Sequence, residues 1–565
     1  MTRTPVRPRT ILHLESLQGR DAPATLVGPT KLTYQDTDGD NVTVTFSKPI
    51  VNPGNANSIF TFDFGTVDGS NATKQLLRSI NLTGVGQAAS GTAITVTAVR
   101  SPSTGGDGFA AVGHIDATGI DLGTVTIDGD LGRIRSGDAT TTTAGAKGLT
   151  VQSMGRYRTT TGAPDLFTTI EGKLGFLKVK SDMKEASVAV HSGLDGQIGS
   201  VFVGGSLIGG IGDGSGGIFP DGDVGFITIL GNMTGASGLG SGSVLCGGKL
   251  AGMKVGGSIS GGIGDASGAI KSGGAMGLVT IVGNLIGGAG TTSGEVSTSA
   301  KVAGVRVGGS VLGGTGIQSG RIVTGETGTI AIGGDLVGGS ATGATSLNQS
   351  GIVIAGRVAS FSLGGSLIAG TDNTSGFFQE NGAVRVANDV GTVLIKGSII
   401  GNATNPAIIS ARGKATPTAT ADVAIGSLRV LGRVEFGQIL AGYVTGNIAV
   451  NADAQIGTVT IGGDWIASSI AAGALTGANG FFGDGDDAKM SGMGIKDDSL
   501  VLSKINSLTI GGQVMGTVGG TDHFGAVAEI VGAVKIGGTQ IPLSAGKSND
   551  DFFVGFTVDM KVNEI

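Results

Sequence analysis

Apolar and polar positions alternate along this chain on two different beats. From about Thr25 to Gly113, runs such as Lys31-Leu32-Thr33-Tyr34, Val42-Thr43-Val44-Thr45-Phe46 and Ile94-Thr95-Val96-Thr97 alternate strictly, with breaks at Pro53-Gly54 and Asp68-Gly69. A period of two in segments rich in Val, Ile, Thr and Phe predicts a small antiparallel β domain, sandwich-like, over residues 25–115. Beyond Gly119 the pattern shortens to apolar-x-apolar triplets, fifteen in all, from Val125-Thr126-Ile127 to Val534-Lys535-Ile536.

The triplets belong to a longer unit that is most regular between Ser206 and Ser310. Ser206, Asn232, Ser258, Asn284 and Ser310 lie 26 residues apart, each after a glycine and before an apolar residue. A second column, Ser215-Gly216 through Ser319-Gly320, keeps the same interval with Ile218, Val244, Ile270, Val296 and Ile322 two places after the glycine. A unit of 26 residues accommodates three short strands and three turns, and one such unit cannot bury its own inward side chains. The fold expected for residues 116–545 is therefore an all-β parallel β-solenoid of about 16 coils, right-handed by the crossover rule and about 75 Å long. The sixteenth coil has room in the gap between Ile461 and Leu508. Glycine at the corners supplies turn conformations, while Ser, Asn and Asp beside it satisfy backbone groups and form ladders between coils.

Regularity fails after Ser310. The polar corner moves to Asp335, Ser366, Ser398 and Arg433, so turns in the second half have grown, and the largest insertion runs from Ala467 to Ser503. Loops projecting from one side of a solenoid are where binding is expected. The tail, residues 546–565, alternates like a strand and is expected to cap the open end or pair with another chain.

Composition narrows the classes. Glycine is 110 of 565 residues with only 12 prolines, which excludes collagen, and a mean hydropathy of +0.27 argues against disorder. A net charge of −6 argues against a nucleic-acid partner. No apolar run is long enough for a transmembrane helix. The single cysteine, Cys246, allows no internal disulfide and reads as a buried apolar side chain.

Three sets of residues carry candidate chemistry. Asp36-Thr37-Asp38-Gly39-Asp40 alternates carboxylates around a glycine, so Asp36, Asp38 and Asp40 are candidate calcium ligands; a tight acidic hairpin turn is the other reading. The insertion holds Asp484, Asp486 and Asp487, with Asp497, Asp498, Lys489 and Lys496 further on. These are the candidate acid, base and glycan contacts of a carbohydrate-active β-helix, or a solvated loop. Against a sugar cleft stands the poverty of aromatics, one tryptophan and three tyrosines, with Trp465 in a core position. His13, His114, His191 and His523 are too scattered for a metal site, and no cofactor beyond calcium is implied.

The segment Leu14-Glu15-Ser16-Leu17-Gln18-Gly19-Arg20-Asp21-Ala22-Pro23-Ala24 resembles the Leu-Glu-x-Leu-Glu-x-Arg-x-x-Pro-Ala motif near the start of many surface and secreted proteins of planctomycete-type bacteria, with Gln18 in place of the second glutamate. The resemblance implies export, and residues 1–24 are expected to be a sorting segment. The expectation for the whole is an exported structural or adhesive cell-surface protein, a rod-like spacer or a fibre subunit that associates head to tail through its solenoid ends. The alternative is a glycan-binding or glycan-degrading protein acting through residues 467–503.

Overall fold

The computed structural model describes residues 24–68, 74–101, 105–517, 519 and 522–565. Apart from Ala24, the export-like segment lies outside the described residues.

Three parallel sheets wind around one continuous apolar core. In the first, fourteen successive pairings, from Val125 against Leu149 to Leu508 against Val534, join all fifteen predicted triplets rung to rung. The second sheet stacks Leu207, Met233, Ile259, Leu285 and Val311, and the third stacks Ile218, Val244, Ile270, Val296 and Ile322. Both 26-residue columns are thus rungs of a β-solenoid. Within a triplet the outer two residues are buried and the middle one faces out, as at Val201, Phe202 and Val203, because successive side chains on a strand point to opposite faces.

One expectation is corrected. Val459 pairs directly with Leu508 and Ile461 with Ile510, so the gap between them holds no sixteenth coil. The chain leaves the solenoid after Ser469–Ala472, forms the antiparallel hairpin Ala474–Leu475 with Ala488–Lys489, and returns. Acidic, glycine-rich sequence lacks the inward apolar triplet that a rung requires.

The corners are held by a ladder of side-chain oxygens. Asp182 accepts from Ser206 N–H, Ser206 from Asn232, and so on through Ser258, Asn284, Ser310, Asp335, Ser366 and Ser398 to Arg433 N–H, at 2.7–3.2 Å. The Arg433 side chain has no acceptor, so the ladder stops there; Asp464 restarts it by accepting from Gln513 N–H at 2.8 Å. The second column turns the chain inside each coil: buried Ser267, for example, accepts from Gly262 N–H at 2.8 Å. Gly268 beside it has φ +60°, and a Cβ there would sit 2.3 Å from the Ser260 carbonyl oxygen, so glycine is required.

Antiparallel strands flank the parallel stack at its N-terminal side and, at its C-terminal side, on the first and third sheets. Thr25–Gly28, Lys31–Gln35, Asn41–Phe46 and Thr92–Val99 form the predicted antiparallel ladder, and Phe60–Phe62 pairs antiparallel with Leu77–Asn81. These strands do not form a free-standing sandwich. Thr92–Val99 pairs parallel with Leu122–Gly137, and Leu77–Asn81 with Val112–Thr118, so the segment continues two solenoid sheets and shares their core. At the other end Met560–Glu564 adds a rung to the third sheet beside Phe524–Ala528, Asp551–Val554 folds back on it, and Thr539–Ile541 folds back on Ile530–Ile536. The tail is a cap. An uncovered parallel edge would expose a row of unpaired backbone groups.

Insertions in the second half give the third sheet a second layer. The hairpins Tyr443–Val444 with Ile448–Ala449 and Ala474–Leu475 with Ala488–Lys489 lie over its outer face, where Tyr443, Phe482 and Met490 pack against Ile352, Ile408 and Leu440.

Candidate functional site

The acidic turn links the N-terminal strands Lys31–Gln35 and Asn41–Phe46. One oxygen each of Asp36, Asp38 and Asp40 lies within 4.8 Å of the others, the one such group of three among the described residues. Each of them already accepts from backbone N–H groups. Asp36 Oδ1 accepts from Gly39 and Asp40 N–H at 3.0 and 2.7 Å, Asp40 from Ser101 and Gly108 N–H at 2.8 and 2.5 Å, and Asp38 from Asp107 N–H at 3.1 Å. Burial, with the neighbouring Asp38 carboxylate, pushes Asp36 up to about 8. Burial opposes ionisation of Asp38 as well, but hydrogen bonds from Asp36 and from Asp107 N–H hold it below the usual carboxylate range. Near neutrality the two carboxyls share one proton, which a divalent cation would displace.

A raised folded pKa means the turn contributes stability at low pH that is lost as pH rises toward 8. The protein is therefore expected to be less stable at pH 9 than at pH 6 by on the order of 1 kcal/mol, read as a lower temperature of thermal unfolding. Asp36→Asn, neutral and of the same shape, should narrow that difference. Calcium added at pH 8 separates the two readings of the turn: a rise in Tm that Asp36→Asn abolishes marks a cation site, and an unchanged Tm marks a hydrogen-bonded turn.

In the insertion, the candidate catalytic carboxylates serve the loop. Asp484 Oδ1 accepts from Asp486 N–H at 3.1 Å and its other oxygen from Asn479, while Asp486 accepts from Ala478 N–H at 3.0 Å. Asp487 accepts from Gly483 N–H at 2.7 Å and Asn563 Nδ2 at 3.0 Å, and burial pushes it up to about 6. Asp497 pairs with Lys489 at 2.8 Å, and Lys489 also faces Glu529 at 3.4 Å. Asp498 caps Leu500 N–H at 3.0 Å, and Lys496 bridges buried Asp422 and Asp453 at 2.7 and 2.9 Å. Beside the insertion, Phe436, Phe481, Phe482, Phe524, Gln438 and His523 line a hollow of about 240 Å³, below the usual range of small-molecule sites.

Trp465 is wholly buried and donates its indole N–H to Ser468 O at 2.8 Å, so it offers no sugar platform. Cys246 is buried, and burial pushes its thiol up to about 11. Among the described residues no helix is long and apolar enough to cross a membrane.

A charged chain on the third sheet escaped sequence reasoning. Lys271 meets Glu295 at 2.8 Å, Glu295 meets Arg321 at 2.9 Å, and Arg321 and Glu380 both bond Gln349, at 3.3 and 3.1 Å. Glu380 then pairs with Arg385 at 2.9 Å, both side chains 1% exposed. The one signal available was Glu295 and Arg321, opposite charges one 26-residue unit apart.

The fold and this distribution of polar groups define a parallel β-solenoid protein, flanked by antiparallel strands and layered on one sheet. Compared with family models, curated proteins and solved structures, the chain matches none.

Proposed function

We propose that the chain is an exported structural protein of a bacterial cell surface that acts as a rod-like spacer. The observation that carries this reading is the run of fifteen stacked rungs, tied at one corner by an unbroken oxygen ladder from Asp182 to Arg433. Such a stack transmits length and stiffness, about 70 Å along the axis, and asks for no titratable side chain in its regular coils. The flanking antiparallel strands favour the spacer over the fibre subunit, because head-to-tail continuation through the parallel edges they cover would first have to displace them. In the insertion, the acids are committed to turns and ion pairs, which favours scaffold over glycan chemistry there. The export-like motif supports a place outside the cell. Labelling of intact cells with an antibody to the solenoid is expected to place the chain at the surface, and deletion of residues 1–24 to keep it inside. Labelling seen only after the cells are broken would defeat the reading.

A further inference from the structure

The inserted hairpins pack on the third sheet and leave the outer face of the first uncovered, and the charge of that face has the opposite sign to the molecule. Of the fifteen outward triplet positions, five are basic, Lys178, Lys254, Arg306, Arg429 and Lys535, and none is acidic, although the chain holds 43 acidic and 37 basic residues. All five are exposed and none forms an ion pair with a described residue. Parallel stacking places Lys178, Lys254 and Arg306 in one file, three rungs and then two rungs apart, which is about 14 and about 10 Å. Phe202, Thr228 and Thr280 occupy the rungs between them, and the half-exposed Phe226 flanks the file.

We propose that this face binds a linear anionic polysaccharide running along the solenoid axis. Charge complementarity identifies the partner class: cations filed along the axis about 10 and 14 Å apart match an extended chain whose sugars each carry at most one anionic group. Threonine hydroxyls can exchange hydrogen bonds with sugar hydroxyls, and phenyl rings can cover the apolar C–H faces of pyranose rings. Duplex nucleic acid carries about one charge per 1.7 Å of axis, far denser than this file, and the acidic remainder of the molecule repels it. The make-up of this face carries the proposal whether or not the chain is a spacer.

The test uses the full chain with polygalacturonate as probe, neutral dextran and a DNA duplex as comparisons, and calorimetric titration as readout. Polygalacturonate is expected to bind and dextran not. The affinity should fall about tenfold between low and near-physiological salt, and about tenfold again in the triple variant Lys178→Gln/Lys254→Gln/Arg306→Gln. These side chains are exposed, so Tm should not change. Lys547→Gln, exposed on the C-terminal cap, should bind like the unaltered protein. Absence of binding, equal binding of dextran, tighter binding of DNA, or full affinity in the triple variant would each overturn the proposal.

Discussion

Trp465→Ala is expected to destabilise the solenoid by about 3–5 kcal/mol, among the largest effects available to a single substitution. Trp465 is 0% exposed and takes a rung position in the second sheet, between Val434 and Val514. Removing the indole leaves a cavity between stacked rungs that neighbouring coils, each fixed by its own hydrogen bonds, cannot collapse to fill. It also removes the N–H that satisfies Ser468 O at 2.8 Å. Trp465→Phe keeps most of the volume and should lose about 1–2 kcal/mol, close to the value of the lost hydrogen bond. Because this is the one tryptophan in the chain, denaturant unfolding is best followed by circular dichroism. Stability in a stacked array is set by neighbouring units, so hydrogen exchange should quicken first in the rungs next to Trp465. A loss below about 1 kcal/mol for the alanine variant would show that the position is not packed as described.

Glu380→Ala should cost a comparable amount, about 3–5 kcal/mol, for a different reason. Arg385 is 1% exposed, and its partners are Glu380, Ser410 Oγ at 3.0 Å and Asn447. Burial lowers its pKa to about 10, while the Glu380 carboxylate acts against that shift. Deleting Glu380 leaves a guanidinium buried without its counter-charge. The double variant Glu380→Gln/Arg385→Met removes the stranded charge and should recover most of the loss, since buried ion pairs often give little net stability over neutral packing. If the double variant is no better than Glu380→Ala, the loss comes from packing rather than from uncompensated charge.

These two residues mark where sequence reasoning succeeds and fails. Trp465 is legible because it sits one place after a glycine-rich polar corner, the position that Leu207, Met233, Ile259 and Leu285 occupy in regular coils. Glu380 and Arg385 are not, because their burial comes from hairpins inserted much later in the chain, and Arg385 meets Asn447 across 62 residues. The acidic insertion shows the same limit. Its sequence announces five carboxylates in a flexible-looking loop, yet Phe482 and Met490 pin it to the third sheet and its acids are spent on its own turns and on Lys489. The turn at Asp36 is an intermediate case: the three carboxylates do converge, but Ser101 and Gly108, distant in sequence, supply the backbone donors that occupy Asp40.

The sequence by itself determined the repeating unit, the inward residues of each rung and the 26-residue register, because a strand shows its pattern every two residues and a coil repeats its turns. It also determined which side chains tie the corners, since acceptors one coil apart must lie in one column. Only the tertiary structure decided that the gap after Ile461 holds no coil, that the antiparallel ends are caps rather than separate bodies, and that insertions cover the third sheet while leaving the basic first sheet bare. Those outcomes depend on which faces remain unpaired once the stack has formed, and that information is spread along the whole chain.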